Sequence, residues 1–161
     1  MKNKGELDAM KAVLQRVSSA RVRIDGKVCG EIQTGFLVLL GVMQGDTQKE
    51  ADCLAAKIAG LRVFTDEQDK MNLSLADVDG GVLLISNFTL GADCRKGRRP
   101  SFVRAARPET AEPLYRYMGE QLVKNGVAQV EYGVFGADMQ VELCNDGPVT
   151  ILLDTEELNV N

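Results

Sequence analysis

A chain of 161 residues, 45% hydrophobic and 26% charged, is long enough for one domain with a substantial core, and it has no stretch of the length a membrane helix needs. It contains no histidine, which excludes Ser-His and Cys-His nucleophilic pairs and His-bearing metal sites. Its 19 Lys and Arg stand against 23 Asp and Glu, and the net charge of −4 argues against a general nucleic-acid coat, as the absence of Trp argues against base-stacking platforms.

In chain order, residues 1–9 are polar and patternless and are expected to form a disordered extension before Met10. Ala12–Ile24 alternates as a long strand, and Asp25-Gly26-Lys27 is a hairpin signal leading into a second strand, Val28–Ile32. Phe36–Val42 is a continuous apolar run, expected as a fully buried strand. Thr47-Gln-Lys-Glu50 has the form of a capping box opening a helix whose Ala51, Leu54, Ala55, Ile58 and Leu61 share one face. Leu61–Phe64 and Gly81–Ser86 read as strands on either side of a polar loop carrying Lys70-Met71-Asn72-Leu73. A second helix is expected from about Thr110, with Pro113 in its first turn and a stop at Asn125-Gly126. Its Leu114, Tyr117, Met118, Gln121 and Leu122 form a stripe read as core. Val127–Phe135, Met139–Leu143 and Val149–Leu153 complete the strands.

Hairpins outnumber helices, so the pattern is α+β: one domain of mainly antiparallel sheet packed with two helices. No repeat or linker interrupts it. The four cysteines, Cys29, Cys53, Cys94 and Cys144, are widely spaced without C-x-x-C. They are read as small buried hydrophobes, with no metal and no cofactor expected. Unpaired thiols without a leader-like apolar run point to a reducing, cytoplasmic setting and to no membrane partner.

Three short segments carry candidate chemistry. Ser86-Asn87-Phe88-Thr89-Leu90 ends the strand that begins at Gly81; its hydroxyls could position a carbonyl or water, and the N–H groups after the strand could stabilise an oxyanion. The plain alternative is a strand finishing in a Ser/Thr turn. Arg95 to Arg107 holds six basic residues and no acidic one, which suits phosphate contact or, equally, a solvated loop. Asn145-Asp146-Gly147-Pro148-Val149-Thr150 reads as a hairpin turn between two strands. Gly147 can adopt backbone shapes closed to other residues and Pro148 lacks an N–H, so the turn presents carbonyls and little side chain. Such a shape suits a site that must exclude something.

In order and spacing, five segments together resemble the D-aminoacyl-tRNA deacylase family: Met10-Lys-Ala-Val-Leu-Gln-Arg-Val17, Ser86-Asn-Phe-Thr-Leu90, Arg95-Lys-Gly-Arg-Arg-Pro-Ser-Phe102, Phe135-Gly-Ala-Asp-Met139 and Asn145-Asp-Gly-Pro-Val-Thr150. The resemblance covers residues 10–154, leaving 155–161 as a tail. It implies the family's α+β fold and a homodimeric editing hydrolase that cleaves the ester of D-aminoacyl-tRNA and of mischarged glycyl-tRNA. It further implies that Gly147 and Pro148 form a Gly-cisPro motif reaching into the partner subunit's site, where its carbonyls occupy the space of an L side chain. Arg16, Asn87 and Asn145 would support the motif and site, and Met139 would line the pocket.

Ser86, Phe88 and Thr89 would be the catalytic segment, acting through backbone N–H groups with help from the tRNA's terminal 2′-hydroxyl. Arg95, Lys96, Arg98 and Arg99 would bind tRNA. The family motif usually has Gln after its serine, where this chain has Asn87, so a mildly altered activity is expected. From residues alone, a tRNA- or RNA-binding module without catalysis and a small-molecule esterase using Thr89 or Ser86 stay open. Turnover separates the first, and independence from tRNA the second.

Overall fold

A computed structural model describes residues 9–158; the expected extension lies outside the described residues but for Ala9, as does the end of the expected tail. Strand β1 (Lys11–Ile24) is the spine. It turns at Asp25 and Gly26, both with positive φ, 50° and 77°, as the tightest hairpins require. It then pairs with β2 (Lys27–Ile32) and, through its first half, with β3 (Gly35–Gly41). Strand β8 (Gln140–Asp154) pairs antiparallel along nearly all of the remaining edge of β1.

Helix α1 (Gln48–Gly60) starts where the capping box places it. The Thr47 N–H donates to the Glu50 carboxylate at 2.7 Å, and the Thr47 hydroxyl accepts from the Lys49 N–H at 3.3 Å. After α1 come β4 (Phe64–Thr65) and β5 (Met71–Leu73), which pair with each other. Strand β6 (Gly81–Ser86) then lies parallel to β3, and after α2 (Pro108–Lys124) strand β7 (Gln129–Tyr132) lies parallel to β6. Each parallel pair is joined by a crossover carrying one of the two helices, as parallel pairing demands.

The α+β class and the mainly antiparallel sheet are as read from the sequence, with these two parallel pairings added. The sheet order is β2-β1-β3-β6-β7, and it curls until β2 meets β7. The Gln129 side-chain amide donates to the Glu31 carbonyl at 3.4 Å, and a Cβ on Gly30 would lie 2.6 Å from the Tyr132 carbonyl oxygen.

Strand pleating divides the core. Phe36, Val38, Leu40, Val82 and Leu84 face the helices and pack on Leu54, Ile58, Leu114, Met118 and Leu122; Leu37, Leu83 and Ile85 point inside the curled sheet against Val17, Ala20 and Val22. Each fully buried side chain of this size contributes about 1.5–3 kcal/mol. Strand β1 serves both layers because its pairing with β8 is irregular between Gln15 and Ser19. Ala12 and Leu14 belong to the helix-side layer, and beyond the irregularity Val17, Ala20 and Val22 belong to the inner one.

Several boundaries differ from the sequence reading. Helix α2 starts at Pro108 rather than Thr110, because Arg107 is extended and Pro108 takes the first helical position; Pro113 therefore lies inside the helix. Its buried aromatic is Tyr115, whose hydroxyl donates to the Leu84 carbonyl at 2.7 Å, while Tyr117 sits half-exposed and donates to Asp52. The strand expected at Leu61–Phe64 is only Phe64–Thr65: Leu61 caps α1 and the Val63 carbonyl is taken by Arg16. The expected loop at Lys70–Leu73 contains β5. Cys29, Cys94 and Cys144 are exposed rather than buried, since they fall on a hairpin strand, a surface loop and an edge strand.

The largest difference concerns the expected strands Met139–Leu143 and Val149–Leu153. From Gln140 onward they are not two strands joined by a hairpin turn but a single strand, β8, both halves of which pair with β1.

Candidate active site

The C-terminal ends of β3 and β6 lie side by side, with Leu40 level with Ser86. The Asn87 N–H donates to the Leu40 carbonyl at 2.8 Å, and the chain then enters a 3-10 turn, Phe88–Gly91. Gly41 allows this close approach, since a Cβ there would fall 2.8 Å from that of Leu90. Asn87 caps the turn: its side-chain oxygen accepts from both the N–H (3.3 Å) and the hydroxyl of Thr89. No acceptor among the described residues takes the Phe88 N–H, as expected for the first N–H of a helical turn.

A cavity of about 610 Å³ opens at this strand end. Its wall includes Ser86, Asn87, Phe88 and Met139 from the sequence reading, and adds Phe102 and Phe135. Met139 is seated against Gly133, where a Cβ would come within 2.6 Å of its sulfur. Phe88 and Phe102 meet edge-on at the rim, ring centroids 5.2 Å apart, and Phe88 is 57% exposed. Among the described residues, Ser86 and Asn87 are the only polar side chains of the lining, and none of it is ionisable. Thr89 does not line the cavity; its hydroxyl is turned to Asn87. Among the described residues no cluster of Cys, Asp and Glu is arranged to hold a metal ion.

Phe102 follows the basic loop, which is closed by reciprocal backbone bonds between Asp93 and Ser101 at 2.7 and 2.9 Å. Arg95, Lys96, Arg98 and Arg99 all project from it, exposed. Arg95 is not an isolated cation. Its guanidinium donates to the Asp93 carboxylate at 2.8 and 2.9 Å, and with the Arg95 backbone N–H it holds the Asp93 carboxyl far below the usual carboxylate range. The acid lies just before the run that was read as free of acids.

Gly147 and Pro148 are exposed and do not line this cavity. On β1 one residue, Arg16, separates Gln15 from Val17; on β8 four residues separate their partners Thr150 and Asn145. The surplus bulges out of the sheet opposite Arg16, whereas Ser86 is level with Leu40 and hence with Ala12. The Gly147-Pro148 peptide is cis, and Gly147 has a φ of +139°. A Cβ at Gly147 would sit 2.8 Å from the Val149 nitrogen.

Arg16, only 9% exposed, anchors the bulge. Its Nε donates to the Asp146 carbonyl at 2.9 Å and its Nη1 to the Val63 carbonyl at 2.7 Å and the Thr65 hydroxyl at 3.3 Å. The Asn145 side-chain oxygen accepts from the Val149 N–H at 3.1 Å, while its amide nitrogen donates to Gln15 and Thr150. Gln15, Thr150, Val63 and Thr65 are support that sequence reasoning missed. The first two lie inside two of the quoted motifs but carried no assigned role there.

The family model for D-Tyr-tRNA(Tyr) deacylase matches residues 13–154 of the chain. A D-aminoacyl-tRNA deacylase of Koribacter versatilis (strain Ellin345) is 57% identical over 148 residues, spanning 92% of this chain and 99% of the relative. Another from Caldicellulosiruptor bescii is 56% identical over 149 residues, spanning 92% and 99%. A solved structure of the c-Myc DNA Unwinding Element Binding Protein superposes with a TM-score of 0.84 at 44% identity, covering 89% of this chain and 97% of that one.

Proposed function

The chain belongs to the D-Tyr-tRNA(Tyr) deacylase family, and from that premise we propose how it hydrolyses D-aminoacyl-tRNA: a shape filter donated by a second copy of the chain, and a cavity that orients the ester without a protein nucleophile. The observation that carries this reading is the separation of the two motifs. The Gly147-Pro148 bulge stands out of the sheet away from its own cavity, so a cavity that it closes belongs to another subunit.

In a homodimer of this kind, the side-chain-poor bulge occupies the space into which an L side chain would point. D-aminoacyl and glycyl esters enter, and L esters are excluded by contact rather than by weaker attraction. Arg16 and Asn145 hold the bulge, and Met139 shapes the facing wall.

Chemistry in this cavity is limited by what it lacks. An aminoacyl ester is already activated, and the backbone N–H of Phe88, a residue of the cavity wall, is assigned as the donor to its carbonyl. The ester carbonyl accepts from it, water attacks the carbonyl carbon, and the bond to the terminal ribose oxygen breaks, with the water's proton passing to that oxygen. The neighbouring 2′-hydroxyl of the substrate positions the water. One such donor is worth roughly 10²–10³ in kcat. Asn87 caps the turn that follows the strand, Ser86 lines the cavity beside it, and Arg95, Lys96, Arg98 and Arg99 contact tRNA phosphates beside the rim. The setting is the cytoplasm, where aminoacyl-tRNA is found.

The test uses D-Tyr-tRNA ending in adenosine or in 2′-deoxyadenosine, Gly-tRNA, and a D-tyrosine alkyl ester without tRNA. Release from D-Tyr-tRNA and Gly-tRNA, with sharply slower release from the deoxy substrate and none from the simple ester, is the expected pattern. Rapid cleavage of the simple ester would overturn it, as would a monomer in sedimentation at full activity.

A further inference from the structure

We propose that Gln15 and Thr150 are specificity-determining residues, which together with Asn145 close the neck of the Gly147-Pro148 bulge and fix where it projects; the inference rests on the reading that this bulge rejects L esters. Register supplies the reason a neck must be closed. Gln15 faces Thr150 and Val17 faces Asn145, so β1 and β8 pair on both sides of the bulge but not across it. Ladder bonds that would fix an ordinary strand are missing over residues 146–149.

Side chains replace them. Thr150 Oγ1 donates to Gln15 Oε1 at 3.2 Å, and the Asn145 amide nitrogen donates to both Gln15 Oε1 and Thr150 Oγ1, the latter at 3.2 Å. The remaining Asn145 oxygen accepts from the Val149 N–H. The three side chains thus form a closed ring at the base of the bulge, with Gln15 Oε1 accepting twice and both Asn145 amide hydrogens used. Arg16 holds the bulge from the other side, through the Asp146 carbonyl.

Two enantiomers differ only in which substituent meets the excluding wall. A wall that drifts loses discrimination before it loses catalysis, because a site of this kind must hold its geometry to within about 0.5 Å. Gln15 and Thr150 are therefore positioning residues that act on the ratio of rates more than on either rate alone.

Initial rates on D-Tyr-tRNA and L-Tyr-tRNA, with thermal unfolding in parallel, test this in Gln15→Leu, Thr150→Val and Thr150→Ser. Leu and Val keep approximate shape and remove the ring's bonds, and Ser keeps the hydroxyl. The expected result is an L-to-D rate ratio raised by at least about tenfold in the first two and restored in Thr150→Ser. Should Gln15→Leu fail to fold, Thr150→Val and Thr150→Ser still carry the comparison. A ratio unchanged in Thr150→Val, or both rates falling equally, overturns the inference while leaving the bulge's role intact. A wild-type chain with no preference for the D ester overturns both.

Discussion

Arg16 and Asp146 are 130 residues apart in sequence, yet the Arg16 Nε–H meets the Asp146 carbonyl at 2.9 Å, directly before Gly147. The same guanidinium reaches the Val63 carbonyl, so the bulge on β8 is tied through β1 to the segment that leads into β4. Arg16→Leu leaves acceptors in this half-buried region without a donor, at about 1–3 kcal/mol for each buried one. It should lower stability by an amount chemical denaturation resolves. Arg16→Lys keeps charge but loses the fork, since one ammonium cannot reproduce both directed bonds. It should fold, and show a raised rate on L-Tyr-tRNA relative to D-Tyr-tRNA.

Gly147→Ala is a sharper probe of shape. At a φ of +139° an L side chain is strained, and its Cβ would come 2.8 Å from the Val149 nitrogen and 3.4 Å from an Arg16 nitrogen. The bulge must shift, but the core does not contain it. We expect cooperative unfolding close to that of wild type, with D-Tyr-tRNA hydrolysis reduced by about tenfold or more through the misplaced wall. Wild-type rates on both stereoisomers would show that the bulge does not touch the substrate.

Thr89→Ala separates backbone from side-chain catalysis. The Thr89 hydroxyl donates to Asn87, lies outside the cavity lining, and has no base to activate it. Activity on D-Tyr-tRNA should stay within about tenfold of wild type, whereas loss of a nucleophile costs on the order of 10⁴ or more. Total loss with intact circular dichroism would refute the backbone mechanism.

The pH profile follows from the same lining. Among the described residues no side chain of the cavity lining is ionisable, and Asp93 at the nearby loop stays ionised because the Arg95 guanidinium pulls its pKa down. A depressed carboxylate of this kind stabilises the loop above its unfolded pKa and stops doing so only as pH falls through the lower folded value. Between about pH 5.5 and 9 neither feature titrates. The substrate's α-amino group, near 8 in an unperturbed chain, is then the one ionisation in single-turnover rates on D-Tyr-tRNA. A bell with two protein pKa values would contradict the account.

Local signals in the sequence were the reliable ones. The capping box at Thr47 and Glu50 and the Asp25-Gly26 turn are decided by residues a few positions apart, and both stand where they were read. Arg107-Pro108 was passed over for Thr110 and Pro113, which satisfy the same start rule; the earlier start is made by Pro108 at the first helical position after an extended Arg107. Strands β4 and β5 are too short for any periodicity to register.

At the site, Ser86, Phe88 and Met139 were legible from motifs, and the structure brings them to one cavity. Phe102 and Phe135 stood at the ends of two of those motifs without an assigned role, since a cavity wall built from separate segments leaves no spacing that shows which motif residues face it. The Gly147-Pro148 segment looks like a hairpin turn because its composition is that of a turn. Whether its flanks pair with each other or with a third strand depends on β1, more than a hundred residues away.

Matched D-Tyr-tRNA and L-Tyr-tRNA, incubated with the purified protein and followed for amino-acid release, put the exclusion of L esters to the test. Rapid release from the D ester and persistence of the L ester under the same conditions are the expected result. Equal release from both would contradict exclusion by the Gly147-Pro148 bulge, and release from neither, with tRNA still bound, would contradict the hydrolytic reading itself.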